Sequence, residues 1–160
     1  GYPTEEQEVV IVERVTGVAA TVAAVASTAQ LSVLQEECRK SYIDPALIQY
    51  AVRLAAATRD PEKYGIKDLQ RYLAYGASPR ASIHLIEGAR ALAFLRGRDY
   101  VLPEDVTDMA PDVVRHRLVL TYEALAEGVS ADQLVARVMA HIRAPEKPLE
   151  THVRVAQAQS

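Results

Sequence analysis

Apolar residues recur at intervals of three and four along most of this chain, which is the spacing of one face of an α-helix. After Asp44 they form a broad apolar stripe, made of Leu47, Ile48, Ala51, Val52, Leu54 and Ala55. Asp44 is a favourable N-cap, Pro45 suits the first helical position, and Asp60-Pro61 marks an end. The pattern therefore predicts a helix from Pro45 to about Arg59.

Comparable signals predict helices near both ends of the chain. Thr4 caps a helix that runs to about Val15, and a second helix covers residues 29–40. The stretch between them, up to Thr28, has no clear period and is predicted to be a connector. Ser130 caps a final amphipathic helix, which Pro145 stops.

The middle of the chain carries the best-marked helix. Residues 63–76 contain two glycines and a tyrosine-rich run, so we expect irregular or short extended structure there. Ser78 is then placed as N-cap, Pro79 occupies the first helical position and Gly97 ends the helix. Three independent signals thus agree on one helix.

Another helix is predicted to start at Pro103, with acidic residues in its first turn. Pro111 is expected to separate it from a further helix that begins near Asp112. No strand-turn-strand pattern is convincing. The sequence therefore predicts an all-α fold, a bundle of five to seven helices. Its expected organisation is a helix and connector over 1–28, a helical domain over 29–145 and a flexible tail over 146–160.

Composition and charge narrow the function classes. The net charge is −3 with scattered basic residues, which argues against a dedicated nucleic-acid binder. The longest apolar stretch, residues 18–26, is too short for a membrane span, and no signal-peptide layout is present. We therefore expect a cytoplasmic protein. The single cysteine, Cys38, is expected to be a small buried or half-buried side chain.

Helical geometry singles out Arg80. At 100° per residue, His84 and Glu87 fall within roughly 40° of Arg80, on the side opposite the apolar residues. Arg80 also lies in the first turn, where unpaired backbone N–H groups already favour an anion. Geometry alone leaves two interpretations open: a solvated arginine, or an arginine that contacts phosphate.

Two other groups of residues are candidate sites. Asp105, Asp108 and Asp112 have helical spacing, with His116 four residues further on, but a helix broken at Pro111 would separate them. No metal site is therefore expected. The triplet Arg115-His116-Arg117 has two interpretations, a subunit-interface or anion patch and local packing with solvated charge.

The chain resembles the lid domain of MoxR-type AAA+ ATPases over nearly its whole length up to Pro145. The resemblance rests on short motifs in the order and spacing of that family: Gly1-Tyr2-Pro3, Ala57-Thr58-Arg59, Gly76-Ala77-Ser78-Pro79-Arg80-Ala81, Ala89-Arg90-Ala91-Leu92-Ala93, Gly97-Arg98-Asp99-Tyr100-Val101, Pro103-Glu104-Asp105-Val106 and Arg115-His116-Arg117-Leu118. By position, the resemblance implies that Arg80 is the sensor 2 arginine, which approaches the terminal phosphate of ATP. It implies that Ser78 and His84 lie near the nucleotide.

The resemblance also implies that a longer protein has an ATPase core, cofactors and partners that this chain does not contain. The sequence has neither a Walker A loop nor an acidic Walker B strand, so we expect no ATP hydrolysis by the chain alone. ATP and Mg²⁺ are expected in a parent ATPase whose core precedes this lid, with the present chain as a fragment of it. The implied partners are that core, neighbouring subunits of a ring and a protein with a von Willebrand factor A domain. The alternative is a stand-alone helical adaptor without nucleotide chemistry.

Overall fold

The computed structural model of the chain describes residues 2–18 and 22–146. Within those residues it contains seven α-helices: α1 (Glu5–Thr16), α2 (Thr28–Lys40), α3 (Pro45–Arg59), α4 (Pro79–Leu95), α5 (Pro103–Val114), α6 (Tyr122–Ala126) and α7 (Ala131–His141). Short 3-10 helices cover Glu62–Tyr64, Lys67–Tyr72 and Arg115–Arg117. The all-α prediction is confirmed. None of the described helices is both long and apolar enough to cross a bilayer.

Residue contacts divide the chain into two compact units, residues 1–34 and residues 35–160. In the first unit, the Thr4 hydroxyl accepts a hydrogen bond from the Gln7 N–H, and the Gln7 side chain accepts one from the Thr4 N–H. This reciprocal cap explains the start of α1. The division falls inside α2, and the predicted tail over 146–160 lies outside the described residues from position 147 onward.

The second unit is built around a core to which α3, α4, α5 and α7 all contribute. Its largest fully buried apolar side chains are Leu47, Leu54, Leu69, Leu85, Leu134, Ile142, Val101 and Val106. The apolar stripe predicted on α3 is too broad, because Ile48 and Val52 remain 45% and 46% exposed. Tyr50 and Thr58 are buried on that helix instead. Cys38 is half-buried and free, as predicted.

Helix α4 has the predicted boundaries. Ser78 is its N-cap by backbone conformation and Pro79 is its first residue. At the other end, the Gly97 N–H donates to the Phe94 carbonyl at 2.9 Å and the Arg98 N–H donates to the Ala93 carbonyl at 3.0 Å. Gly97 has a φ of +73°, so its lack of a side chain permits this left-handed C-terminal turn.

The prediction that Pro111 ends one helix and Asp112 begins another is wrong. Helix α5 runs from Pro103 through Pro111 to Val114 without interruption. A proline in a helix interior costs about 3 kcal/mol. Here the cost is offset because Ala110, Val113 and Val114, on both sides of the proline, are buried in the core.

A small sheet also forms, which the sequence patterns did not reveal. Strand β1 (Leu73–Tyr75) pairs antiparallel with strand β2 (Val119–Leu120), so that Leu73 lies opposite Leu120 and Tyr75 opposite Val119. The short extended structure expected within residues 63–76 is therefore present. β1 leads directly into the loop before α4, and its pairing with β2 fixes the position of the upstream end of that loop.

Candidate functional site

Arg80 is the second residue of α4, and its side chain is exposed. His84 and Glu87 are exposed as well, whereas Ala81, Leu85, Ala89 and Ala93 form the buried line of this helix. The helical arithmetic therefore predicted the outward side correctly. Among the described residues the Arg80 guanidinium has no hydrogen-bond or ion-pair partner.

Ser78 occupies the N-cap position without capping through its side chain. Its φ and ψ of −67° and 167° are those of an N-cap, but its hydroxyl makes no hydrogen bond to the helix. Its carbonyl accepts a hydrogen bond from the Ala81 N–H at 2.8 Å. Because the exposed Ser78 hydroxyl is not used by the helix, it is available to a ligand at the start of α4.

The loop before α4 is attached to the end of α3. The buried Thr58 hydroxyl accepts a hydrogen bond from the Ala77 N–H at 2.9 Å and donates one to the Ala55 carbonyl at 2.7 Å. The Arg59 guanidinium donates to the Ala77 carbonyl through Nη1 at 2.7 Å. Both polar backbone atoms of Ala77 are thus held by two consecutive residues of α3.

Gly76 lies directly against the same end of α3. A Cβ atom built on Gly76 would lie 2.2 Å from the Thr58 carbonyl oxygen and 2.6 Å from the Arg59 backbone nitrogen. Only glycine fits this approach of one backbone to another. The sequence does not predict this attachment, because nothing in it connects Ala57-Thr58-Arg59 to a loop 18 residues away.

A second polar cluster joins the end of α4 to the start of α5. Asp105 is fully buried and accepts hydrogen bonds from Arg98 Nη1 and Nη2 at 2.8 and 2.7 Å, from Arg96 Nη1 at 2.8 Å and from the Leu102 N–H at 2.8 Å. Burial by itself would raise the pKa of the Asp105 carboxyl, but the hydrogen bonds from Arg98 and Leu102 outweigh it and hold that pKa below its ordinary value.

The other residues considered for a metal site also have partners within the chain. Asp108 pairs with Arg96 Nη2 at 2.6 Å, and Asp112 pairs with Arg115. His116 Nδ1 is 2.9 Å from the Asp112 backbone carbonyl. Because α5 is unbroken, Pro111 does not separate Asp112 from Asp105 and Asp108, contrary to the prediction. Among the described residues, however, no group of three histidine, cysteine or acidic side chains could hold a metal ion.

The triplet Arg115-His116-Arg117 forms the 3-10 turn after α5. Arg115 also reaches Asp132 at 3.2 Å, and Arg117 Nη1 donates to the Val113 carbonyl. The basic side chains therefore stabilise the C-terminal end of α5, where cations and donors interact favourably with the helix dipole. Arg115 and His116 keep exposed surface beyond these contacts.

The described residues suit contact with a phosphate group of a nucleotide but not binding of the Mg²⁺ that accompanies it. An exposed, unpartnered guanidinium in the first turn of α4 suits a phosphate group, since the nearby N–H groups and the helix dipole favour the same anion. Mg²⁺ prefers an octahedral shell of oxygen ligands, and the carboxylates Asp105, Asp108 and Asp112 are each engaged by an arginine. Within the described part of the chain, phosphate contact is the chemistry that α4 can supply.

Comparison with known proteins identifies the family of this domain. Residues 67–138, which include β1, α4 and α5, match the AAA lid domain family. The chain is 44% identical to Chaperone MoxR1 of Mycobacterium tuberculosis over 91% of its length, and 31% identical to the uncharacterized protein YeaC of Bacillus subtilis, also over 91%. It spans 39% and 43% of those two proteins.

A solved structure shows the same fold. The crystal structure of a candidate ATPase from Cytophaga hutchinsonii superposes with a TM-score of 0.78 at 36% identity, covering 91% of this chain and 45% of that one. The fold and the placement of α4 define the helical lid of an AAA protein. More narrowly, the chain belongs to the MoxR-type AAA+ family and contains that family's lid domain.

Proposed function

We propose that this chain is the lid of a longer ATPase, and that Arg80 is the sensor 2 arginine that contacts the terminal phosphate of ATP bound to a P-loop core. The observation that carries the proposal is the exposed, unpartnered guanidinium in the first turn of a helix whose start is tied to α3. The match to a lid domain family over residues 67–138 supports it.

The placement of Arg80 has a physical cost that a phosphate would remove. A cation in the first turn of a helix opposes the helix dipole by a few tenths of a kcal/mol. When an anion is present, the guanidinium, with its permanent charge and forked donors, and the free N–H groups of that turn act on it together. Arg80 therefore gains a favourable environment only when a phosphate is bound.

Two further side chains are proposed to lie near the nucleotide. The Ser78 hydroxyl is exposed and makes no capping bond, and His84 is exposed one turn beyond Arg80 on the same side of α4. Both are able to donate hydrogen bonds to phosphate or ribose oxygens. ATP and Mg²⁺ would be held mainly by the core, with its Walker A and Walker B residues.

At the level of the whole protein, we propose ATP-driven remodelling or assembly of partner proteins in the cytoplasm by a ring-shaped oligomer. Its contacts would include the lid's own core, the neighbouring subunits and a partner with a von Willebrand factor A domain. The exposed surface of Arg115 and His116, with Arg117 beside them, is the proposed contribution of this lid to a subunit interface. The relatedness to a chaperone of Mycobacterium tuberculosis supports this class of function.

The direct test is Arg80→Ala in the ATPase that carries this lid. We expect turnover to fall at least about tenfold, equivalent to about 1.4 kcal/mol of activation free energy. Arg80→Lys keeps the positive charge but removes the forked donors, so it separates the two contributions. The matched control is Arg53→Ala, which removes an exposed arginine of α3. Unchanged turnover in Arg80→Ala would remove Arg80 from the role. An intact reading frame starting near Tyr2 would contradict the longer protein.

A second candidate function is a protein-interaction module that never carried an ATPase core. The exposed apolar side chains of α1 favour it, because Val9, Val12 and Val15 are 56%, 54% and 79% exposed. In that case the chain alone should bind a partner with the same affinity with and without ATP. Loss of that binding on replacing Val9 and Val12 by serine would support the adaptor, and an inert monomer would argue against it.

A further inference from the structure

We propose that Thr58 and Arg59 are positioning residues for Arg80: by holding the backbone of Ala77 they set the place from which the Arg80 side chain reaches a phosphate. This inference rests on the proposed role of Arg80. Thr58 and Arg59 lie outside α4 and make their contacts with Ala77, so they act on Arg80 only through the backbone between Ala77 and Arg80. Thr58 is the last buried residue of α3, and Arg59, which is exposed, is the last residue of that helix.

The first step is the attachment at Ala77. Ala77 is fully buried, its N–H donates to the Thr58 hydroxyl at 2.9 Å, and its carbonyl accepts from Arg59 Nη1 at 2.7 Å. A buried backbone group that loses its partner costs about 1 to 3 kcal/mol, so displacement of Ala77 is strongly opposed. Contact between Gly76 and the end of α3 restricts the same loop sterically.

The second step is transmission from Ala77 to Arg80. Only Ser78 and Pro79 lie between them, and the pyrrolidine ring of Pro79 fixes its own φ. The Ser78 carbonyl accepts from the Ala81 N–H at 2.8 Å, which closes the first turn around Arg80. The segment has little freedom of its own, so a shift of Ala77 moves the Arg80 backbone with it.

The third step concerns what else holds this segment. Upstream, β1 pairs with β2, and the Tyr72 carbonyl accepts from the Thr121 N–H at 3.0 Å. Those contacts end at Tyr75. Between Tyr75 and the first turn of α4, the hydrogen bonds to Thr58 and Arg59 are the described polar contacts of the loop with another element. They therefore hold the loop in place at the point where it enters α4, while the burial of Ala81 holds the first turn of the helix against the core.

The position of Arg80 matters for catalysis because the rate of a reaction depends steeply on where a catalytic group lies. A displacement of about 1 Å of a group that stabilises a transition state can reduce rate by about a hundredfold. Arg80 has no partner among the described side chains to hold its guanidinium. The position of the guanidinium is then set by the position of the Arg80 backbone, which Thr58 and Arg59 restrain.

The kinetic test uses the ATPase that carries this lid, with Arg59→Ala, Arg59→Lys, Arg80→Ala, the Arg59→Ala/Arg80→Ala double variant, and Arg53→Ala as control. We expect Arg59→Ala to lower kcat about fivefold to tenfold with less than about a twofold change in KM for ATP. Arg59→Lys should restore most of the loss, since lysine can donate to the Ala77 carbonyl. The double variant should be no slower than Arg80→Ala, because Arg59 acts through Arg80.

The outcomes separate the two proposals. If Arg80→Ala slows turnover and Arg59→Ala does not, the positioning role is overturned and the sensor role stands. If the two losses multiply in the double variant, Arg59 acts independently of Arg80 and the positioning role is again overturned. If Arg80→Ala has no effect, the sensor role fails, and the positioning role fails with it.

A second measurement needs no ATPase activity. Amide hydrogen exchange on the 160-residue chain should be at least about tenfold faster at Ala77 and Ala81 in Arg59→Ala, with the Leu85 amide unchanged. Thr58→Val should release Ala77 in the same way, while Thr58→Ser, which keeps the hydroxyl, should not. Equal acceleration at Ala77, Ala81 and Leu85 would indicate general destabilisation and would overturn the local role, as would no change at Ala77.

Discussion

Arg98 donates two hydrogen bonds to the fully buried carboxylate of Asp105, at 2.8 and 2.7 Å. The pair connects the turn after α4 to the first turn of α5, and the Leu102 N–H and Arg96 complete the shell of the carboxylate. A buried charge with all its hydrogen bonds made is tolerated, whereas one left unpaired is expensive. The Asp105 side chain therefore joins the end of α4 to the start of α5.

Replacement of Asp105 by asparagine should destabilise the chain by about 3 kcal/mol, because it leaves the Arg98 charge without its buried partner. Denaturant unfolding at pH 7, followed by circular dichroism, measures the loss. Asp108→Asn is the matched control, since that carboxylate is half exposed and pairs with Arg96 alone. Its loss should be much smaller, and equal losses in the two variants would contradict the role given to Asp105.

The same carboxyl predicts how stability changes in acid. The pKa of Asp105 is lowered in the folded chain, so its contribution is fully present above the unfolded value of about 3.9 and is lost as pH falls through the lower folded value. The stability difference between the wild type and Asp105→Asn should therefore shrink below about pH 4. Unfolding measured at pH 7, 5, 4 and 3 tests this. A difference that stays constant to pH 3 would exclude Asp105 as the titrating group.

Gly76→Ala should destabilise the chain by roughly 2 kcal/mol, because the new Cβ would lie 2.2 Å from the Thr58 carbonyl oxygen. Backbone atoms on both sides must move, and no side chain can rotate away. Gly128→Ala is the comparison variant, since its Cβ would meet nothing within 4 Å but its φ of +67° carries a penalty of about 1 kcal/mol. A thermal melt in which Gly76→Ala is the milder change would refute the contact.

The 160-residue chain should bind ATP only weakly on its own. One arginine and one helix terminus lack the phosphate-binding loop and the Mg²⁺ ligands that give ATPases their affinity. Isothermal calorimetry with MgATP should show a Kd weaker than about 1 mM, corresponding to less than about 4 kcal/mol. Micromolar binding that survives in Arg80→Ala would indicate a different nucleotide site.

Much of the secondary structure could be predicted because its signals are local. The caps at Thr4, Asp44 and Ser130 act within three residues, and each begins a helix where expected. The cap of α2 has the same form, with Ser27 and Gln30 bonded reciprocally, and could have been read from the sequence. The outward side of Arg80 followed from the helical period alone.

What the sequence determined by itself was the starts of α1, α3, α4, α5 and α7, the outward side of α4 and the resemblance that drew attention to Arg80. The tertiary structure alone decided the continuity of α5 through Pro111, the pairing of β1 with β2 and the bonds from α3 to Ala77. Each of these depends on groups distant in sequence that meet only when the core has formed. Local propensity cannot encode such contacts, because their free energy comes from burial and from hydrogen bonds that the unfolded chain does not make.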